Sequence, residues 1–462
     1  HSSMTDRERL ESWRGIQQGK YRIVVGPRSA IFAPLPNLGV IIVDEEHDGS
    51  YKQDNPSPRF HGRDSAIMRA KIESVPIVLG SASPSLESYY AAEQGRYNLI
   101  RLTQRPAGAT LPDVRVVDMK EQRIRGTHDY LSYPLKKEVE IRLDAGDQVI
   151  LYLNRRGHSP VLKCSNCGYT PSCPHCQVKL TYHKAGRKLS CHYCGHVVIN
   201  YDACPQCQSP DFLYLGVGTQ KIEENLPILL KKAEIARFDS DSTAGRKNAH
   251  TILTDFREKK NNLLLGTQMV TKGLDLPDVT LVGVLSADAA LDMPDFRASE
   301  KAFARLLQVA GRSGRAGKKG EVLIQTFYPD SSVIGHAAKQ DFQSFYQEEL
   351  PSRQALRYPP FARLVNFVLT AKDENALEET TLRFRDNLKN RIGKSNVRAE
   401  FLGPAACPMY YLREHYRRCL LIKTRQVLKL GELLTAWDFS EPRFGLPSTI
   451  KITVDIDPDD MM

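Results

Sequence analysis

The 462 residues exceed one ordinary domain, and roughly 100 to 200 residues per domain points to three or four. Hydrophobic content of 41% with 26% charged residues excludes a disordered or fibrous chain, and no apolar run approaches the roughly 18 residues of a membrane span. A formal charge of +10 with a pI near 9.0 suits an anionic partner such as nucleic acid, although eight thiolates on two Zn²⁺ would lower the charge to about +6. The first residues show no basic-then-apolar signal pattern, so the expected compartment is the cytoplasm.

Three apolar, β-rich runs, 21–25, 39–43 and 76–79, alternate with polar or helix-forming segments, as buried parallel strands of an α/β domain do. The pattern breaks at Arg105-Pro106-Ala107-Gly108. A second α/β unit follows, with strands expected at 148–153, 262–265, 279–285 and 321–325. A cysteine-rich block at 163–208 lies between the first two of these and reads as an insertion. A helical stretch at 332–350 leads through a linker at 356–363 into a last α+β domain.

Ten cysteines in a cytosolic chain indicate metal rather than a disulfide framework. Eight form four C-x2-C turns: Cys164/Cys167, Cys173/Cys176, Cys191/Cys194 and Cys204/Cys207. Each turn offers two thiolates to one ion, so four turns close two tetrahedral Zn²⁺ sites, and closed sites are structural. Spacing leaves the pairing open between a sequential and a nested arrangement. The short link from Cys167 to Cys173 favours nesting, with 164/167 joined to 204/207 and 173/176 to 191/194. His175, His183, His192 and His196 are then surplus, and Cys407 and Cys419 read as small buried hydrophobes.

The run at 39–43 ends on Asp44-Glu45-Glu46-His47. An Asp at the C-terminal end of a parallel strand can hold Mg²⁺ through water while the adjacent Glu polarises the attacking water of NTP hydrolysis. Downstream stand Gly80-Ser81-Ala82-Ser83-Pro84-Ser85, the run from Gly266 to Asp275 (GTQMVTKGLD), and Gln308-x2-Gly311-Arg312-x-Gly314-Arg315, whose arginines suit phosphate oxygens. In this order they resemble motifs II, III, V and VI of superfamily 2 helicases.

Together with Ser50-Tyr51-Lys52-Gln53, Arg59-Phe60-His61-Gly62-Arg63-Asp64 and the eight-cysteine insertion after Tyr152-Leu153-Asn154-Arg155-Arg156-Gly157, the whole chain resembles the primosomal protein N′ (PriA) family. The resemblance implies an ATP-dependent 3′-to-5′ DNA helicase that recognises stalled or collapsed forks and starts primosome assembly for replication restart. By motif, Asp44 would hold Mg²⁺, Glu45 act as general base, His47 couple, Gln308, Arg312 and Asp275 contact ATP, and Arg315 serve as the arginine finger. Its cofactors would be two structural Zn²⁺ and ATP with Mg²⁺. Its partners would be forked and single-stranded DNA, single-stranded DNA-binding protein, and primosome and helicase-loader proteins.

The sequence contains no G-x4-G-K-[ST] phosphate loop. That loop and the family's N-terminal DNA-binding domain are expected upstream of His1, which makes this chain alone inactive as an ATPase. The expected fold is α/β: two RecA-like helicase lobes, the first incomplete, with a two-zinc, eight-cysteine insertion and a C-terminal α+β domain. The expected boundaries are 1–110 for the remainder of lobe 1, 111–162 and 209–350 for lobe 2, 163–208 for the insertion, and 351–462 for the last domain. A competing reading is a non-catalytic zinc scaffold that binds DNA and primosome proteins.

Candidate DNA contacts are Arg28 in the turn Gly26-Pro27-Arg28-Ser29, the aromatic-rich loop with Tyr51, Lys52, Arg59, Phe60, His61 and Arg63, and Lys272. Lys163, Lys179, Lys184, Arg187 and Lys188, with Tyr182 and Tyr193, suggest a strand-separating or docking surface on the cysteine block. Arg413, Arg417, Arg418, Lys423, Arg425 and Lys429 form either a phosphate-binding patch or a solvated strand face.

Overall fold

The computed structural model describes residues 4–104, 111–124, 130–153, 161–183, 186–215, 225–239, 246–271, 276–314, 320–437 and 446–461. It divides into a smaller unit, residues 1–98 with 455–461, and a larger unit made of the rest.

In the smaller unit, β1 (Ile41–Asp44) runs parallel to β2 (Ile77–Gly80), with Ile41 opposite Ile77. Alternation along β1 sends Ile41 and Val43 inward, against Ala66 and Ala70 of the helix Gly62–Glu73. Ser85 caps the next helix, Leu86–Glu93, by accepting from the Ser88 amide. The run at 21–25 forms no strand. Ile23 and Val25 are 83% and 91% exposed, and an apolar run needs a ladder partner and a covered face to become one.

The larger unit holds three sheets. A parallel sheet of six strands has the order β10-β11-β4-β12-β13-β3. Its strands are β3 (Asp113–Asp118), β4 (Gln148–Tyr152), β10 (Ile235–Phe238), β11 (Leu263–Gly266), β12 (Val279–Val284) and β13 (Glu321–Thr326). The central strand β4 is buried throughout, as a strand covered on both faces must be. The strands β3 and β10 were not anticipated. They lie at the two edges, and β3 shows the pattern e-i-e-e-B-i, which lacks the continuous apolar signal of the interior strands.

The cysteine block forms an antiparallel sheet, β8-β7-β6-β5-β9, from β5 (Val161–Cys164), β6 (Thr181–His183), β7 (Lys188–Ser190), β8 (Val197–Ile199) and β9 (Phe212–Leu215). The last sheet has the order β15-β16-β14-β17, with β14 (Arg363–Ala371), β15 (Ala399–Leu412), β16 (His415–Thr424) and β17 (Lys451–Ile456). The helix Glu374–Gly393 packs Leu377, Phe384 and Leu388 on it.

Lys163 lies fully buried where the cysteine block meets the parallel-sheet domain. Its Nζ is 3.1 Å from Asp288 and 3.2 Å from Asp292 and stands 3.8 Å from the Tyr328 ring centroid. The Tyr328 hydroxyl donates to Asp292 at 2.8 Å. Tyr193 is likewise buried, so two of the residues assigned to an external docking surface are internal joints. A lysine here is stable only because two carboxylates replace its water. Lys163→Ala should therefore destabilise the larger unit by about 3–5 kcal/mol in urea denaturation, and a loss under about 1 kcal/mol would contradict this assignment.

Candidate metal centres and nucleotide-coupling site

All four C-x2-C turns fold alike. In each, the amide four residues after the first cysteine donates to that cysteine's carbonyl: Gly168 to Cys164, Gln177 to Cys173, Gly195 to Cys191 and Gln208 to Cys204, at 2.8–3.0 Å. The first cysteine's own amide returns a bond to the residue five further on, at 2.8 Å in every case. This tight knuckle needs left-handed backbone at the fourth residue. Gly168 and Gly195 supply it freely at φ 81°, while Gln177 and Gln208 adopt it at 54° and 60°.

The knuckles meet as the nested pairs. Cys164, Cys167, Cys204 and Cys207 form one set and Cys173, Cys176, Cys191 and Cys194 the other, with all ligand atoms of a set within 4.8 Å. A Zn–S bond near 2.3 Å gives a tetrahedron with edges of about 3.8 Å. The Sγ separations Cys164–Cys207, Cys167–Cys204 and Cys173–Cys194 are each 3.6 Å, so both sets fit zinc. Among the described residues, no histidine joins either set. His192 Nδ1 instead donates to the Ala406 carbonyl at 2.6 Å, and Cys419, buried beside Cys407, directs its Sγ to the His192 carbonyl at 3.2 Å.

In the smaller unit, Asp44 ends β1 and its carbonyl accepts from the Tyr51 hydroxyl at 2.7 Å. Glu45 turns the chain in the left-handed region at φ 48°, and its Oε2 is enclosed without a hydrogen-bond partner among the described residues. His47 Nδ1 lies 2.7 Å from Ser81 Oγ, tying the carboxylate loop to the loop after β2.

The aromatic-rich loop is closed by an antiparallel bridge between Lys52 and His61 and by the Gln53 amide on the Phe60 carbonyl at 2.9 Å. Phe60 packs edge-on against Phe32 at 5.1 Å, and Arg59 reaches Asn55 at 3.3 Å. Two cations assigned to DNA are turned inward. Lys52 is buried and bonds Asp455 at 2.7 Å, and Arg63, with its side chain 12% exposed, pairs with Glu46 at 3.0 Å. Burial, with the Arg63 charge, pushes His61 down to about 4, so its ring is neutral near pH 7. Arg28 donates to the Ser50 and Lys52 carbonyls at 2.9 and 2.7 Å. Sequence reasoning counted charges here, and pairing decides which of them face solvent.

In the larger unit, Gln308 occupies the last turn of the helix Ala298–Ala310, and Arg312 sits in the turn beyond it. Ser313 pins that turn by donating to the Thr280 and Glu321 carbonyls at 3.0 and 3.1 Å, and Gly314 supplies φ 77°. Gly266 closes β11 where a Cβ would stand 2.8 Å from the Phe238 carbonyl oxygen and 2.2 Å from Val270 Cγ1, so any larger residue would have to displace the neighbouring strand. Arg315, Lys272 and Asp275 lie outside the described residues. In the last domain, Lys423 is buried over the Tyr358 ring and Arg418 pairs with Glu378 at 2.8 Å, which leaves a smaller basic patch than the sequence suggested.

Carboxylates at the end of a parallel strand, a Gln-x3-Arg turn after a helix, and an eight-cysteine insertion in a parallel-sheet domain make up a fold of the RecA-like helicase-lobe class with a two-site cysteine module and a C-terminal α+β domain. Residues 212–317 match the helicase conserved C-terminal domain, 173–198 the PriA DNA helicase Cys-rich region, and 354–459 the primosomal protein N C-terminal domain. The chain is 42% identical over all its length to replication restart protein PriA of Bacillus subtilis, covering 57% of that protein. It is 40% identical to the Treponema pallidum protein of the same name over 99% of the chain and 68% of the relative, and 36% identical to that of Rickettsia conorii over 99% and 69%. The chain belongs to the replication restart protein PriA family. It spans 57% to 69% of these relatives' lengths.

Freshly purified, reduced protein should carry two zinc ions per chain by elemental analysis, and one or none would contradict the two clusters. Cys173→Ser should release about one equivalent, because a closed site has no substitute ligand.

Proposed function

We propose that this chain is the greater part of an ATP-dependent 3′-to-5′ DNA helicase, cytoplasmic, that recognises stalled or collapsed forks and starts primosome assembly for replication restart. The observation that carries the reading is the His47–Ser81 contact beside the enclosed Glu45 oxygen, an arrangement suited to relaying movement to a water-activating carboxylate. Asp44 would hold Mg²⁺ through water and Glu45 would take the proton of the attacking water. Gln308, Arg312 and Asp275 would contact ATP, with Arg315 stabilising the charge that develops on the transferred phosphoryl group. Tyr51, Arg59 and Phe60 remain the aromatic loop's candidates for single-stranded DNA, with Lys272 a backbone contact on the larger unit.

The assigned boundaries, 1–110, 111–162, 163–208, 209–350 and 351–462, belong to the same proposal. So do single-stranded DNA-binding protein and the primosome and helicase-loader proteins as partners. Within the 462 residues there is no G-x4-G-K-[ST] loop, so this chain by itself should bind DNA with salt-sensitive affinity and release no phosphate from ATP.

Two measurements test this. In the full-length protein, Arg315→Ala should cut DNA-stimulated ATP turnover by roughly 10³-fold while sparing DNA affinity, and near-normal turnover would remove Arg315 from its role. For the chain alone, fluorescence anisotropy with forked DNA at two salt concentrations should show binding that weakens with salt. DNA-dependent phosphate release that Glu45→Gln abolishes would overturn the expectation of inactivity.

A further inference from the structure

Glu46 is the one acidic member of Asp44-Glu45-Glu46-His47 with no part in the chemistry above, and its side chain is 1% exposed. It makes four polar contacts. The Ser85 amide donates to Oε1 at 2.6 Å, and Ser85 Oγ and Ser88 Oγ donate to Oε2 at 3.0 and 2.8 Å. Arg63 Nη1 donates to the same Oε2 at 3.0 Å and also to Ser85 Oγ at 2.7 Å, while Arg63 Nε is held by Asp64 at 2.9 Å. Three segments are thereby clasped: the carboxylate loop, the cap of the helix Leu86–Glu93, and the first turn of the helix Gly62–Glu73.

That last helix continues directly from the aromatic-rich loop. Phe60 and His61, which close the loop on Gln53 and Lys52, lie three and two residues before Arg63. A shift at the base of the loop therefore moves Arg63, and Arg63 pulls on Glu46. On the other side stands Glu45, in left-handed backbone that is unfavourable for a non-glycine residue and survives only where its surroundings over-determine it. The four contacts of its neighbour, with the Glu46 amide on the Gly80 carbonyl at 3.1 Å, supply that determination.

We propose that the Glu46–Arg63 clasp positions Glu45, holding its backbone in the left-handed conformation and passing displacements of the aromatic-rich loop to it. Both side chains are buried, 1% exposed for Glu46 and 12% for Arg63, and both act through Glu45. The inference rests on the reading of Glu45 as the water-activating residue.

The test uses the full-length protein, with ATP turnover measured against oligo(dT) for the wild type, Arg63→Met, Arg63→Lys and Glu46→Gln. In Arg63→Met, kcat at saturating oligo(dT) should fall about tenfold or more while KM for ATP stays within about threefold, because only the transition-state geometry is lost. Arg63→Lys, which keeps a cation beside Glu46, should recover part of it. Unchanged kcat in a folded Arg63→Met protein would overturn the proposal, as would kcat and KM failing together in step with a lowered Tm. Should Arg63→Met not fold, Glu46→Gln is judged by the same criteria. A wild type without DNA-stimulated turnover counts against the proposed function instead, and the clasp is then read by amide exchange at 44–48. Oligo(dT) should alter that exchange in the wild type and not in Arg63→Met; equal responses overturn the clasp.

Discussion

Four thiolates held within 4.8 Å of one another repel unless a cation sits among them, and the second such cluster stands where three parts of the larger unit meet. Around Cys173, Cys176, Cys191 and Cys194 the backbone is committed outward in several directions. The Tyr358 hydroxyl donates to the Cys176 carbonyl at 3.3 Å, His192 reaches Ala406, and the Tyr193 hydroxyl accepts from the Phe296 amide at 3.2 Å. The first of these residues enters the C-terminal domain, the second bonds its sheet, and the third bonds the segment leading into the helix Ala298–Ala310. A metal in this cluster would thus fix more than its own loops.

Beside this cluster the chain builds a column of two stacked rings with a cation at each end. Arg353 lies 4.9 Å from the Phe296 ring, Phe296 stacks on Tyr358 at 4.6 Å and 10°, and Lys423 sits 3.8 Å above Tyr358. Both cations are also satisfied in the plane of hydrogen bonding. Arg353 pairs with Glu349 and Glu300 at 2.9 and 3.1 Å, and Lys423 donates to the Leu356 carbonyl at 2.7 Å. Desolvated cation–π contacts contribute about 2 kcal/mol each and a stacked pair about 1 kcal/mol, enough for the joint to resist thermal opening. The segment 356–363, read from its two prolines as a linker, is therefore a packed joint.

Periodicity and motif spacing made much of this legible. The strands β1 and β2 of the smaller unit and the interior strands β4, β11, β12 and β13 of the six-stranded sheet carry apolar runs, and the four C-x2-C turns specify their own chemistry. The edge strands β3 and β10 carry no such signal, because three of the six residues of β3 face water and β10 is four residues interrupted by the exposed Arg237. The helical stretch at 332–350 proved to be two helices, Ser332–Lys339 and Phe342–Ala355, broken at Gln340, whose φ of 55° no helical pattern announces. In the coupling region, composition announced cations and aromatics correctly but not their partners. A linear reading cannot see Asp455 or Glu46 closing on Lys52 and Arg63, nor that Glu46 is held by the three residues Arg63, Ser85 and Ser88, 17 to 42 residues away.

The claim that the second metal cluster is the keystone of the larger unit is tested most directly by hydrogen–deuterium exchange of Cys191→Ser set beside Cys204→Ser. Loss of the second cluster should raise deuterium uptake well outside the cysteine block, at 295–298, 356–362 and 403–407, while loss of the first should leave those segments protected. If uptake in Cys191→Ser rose only within 170–200, the three parts would be held together by their own packing and the metal would be a local staple.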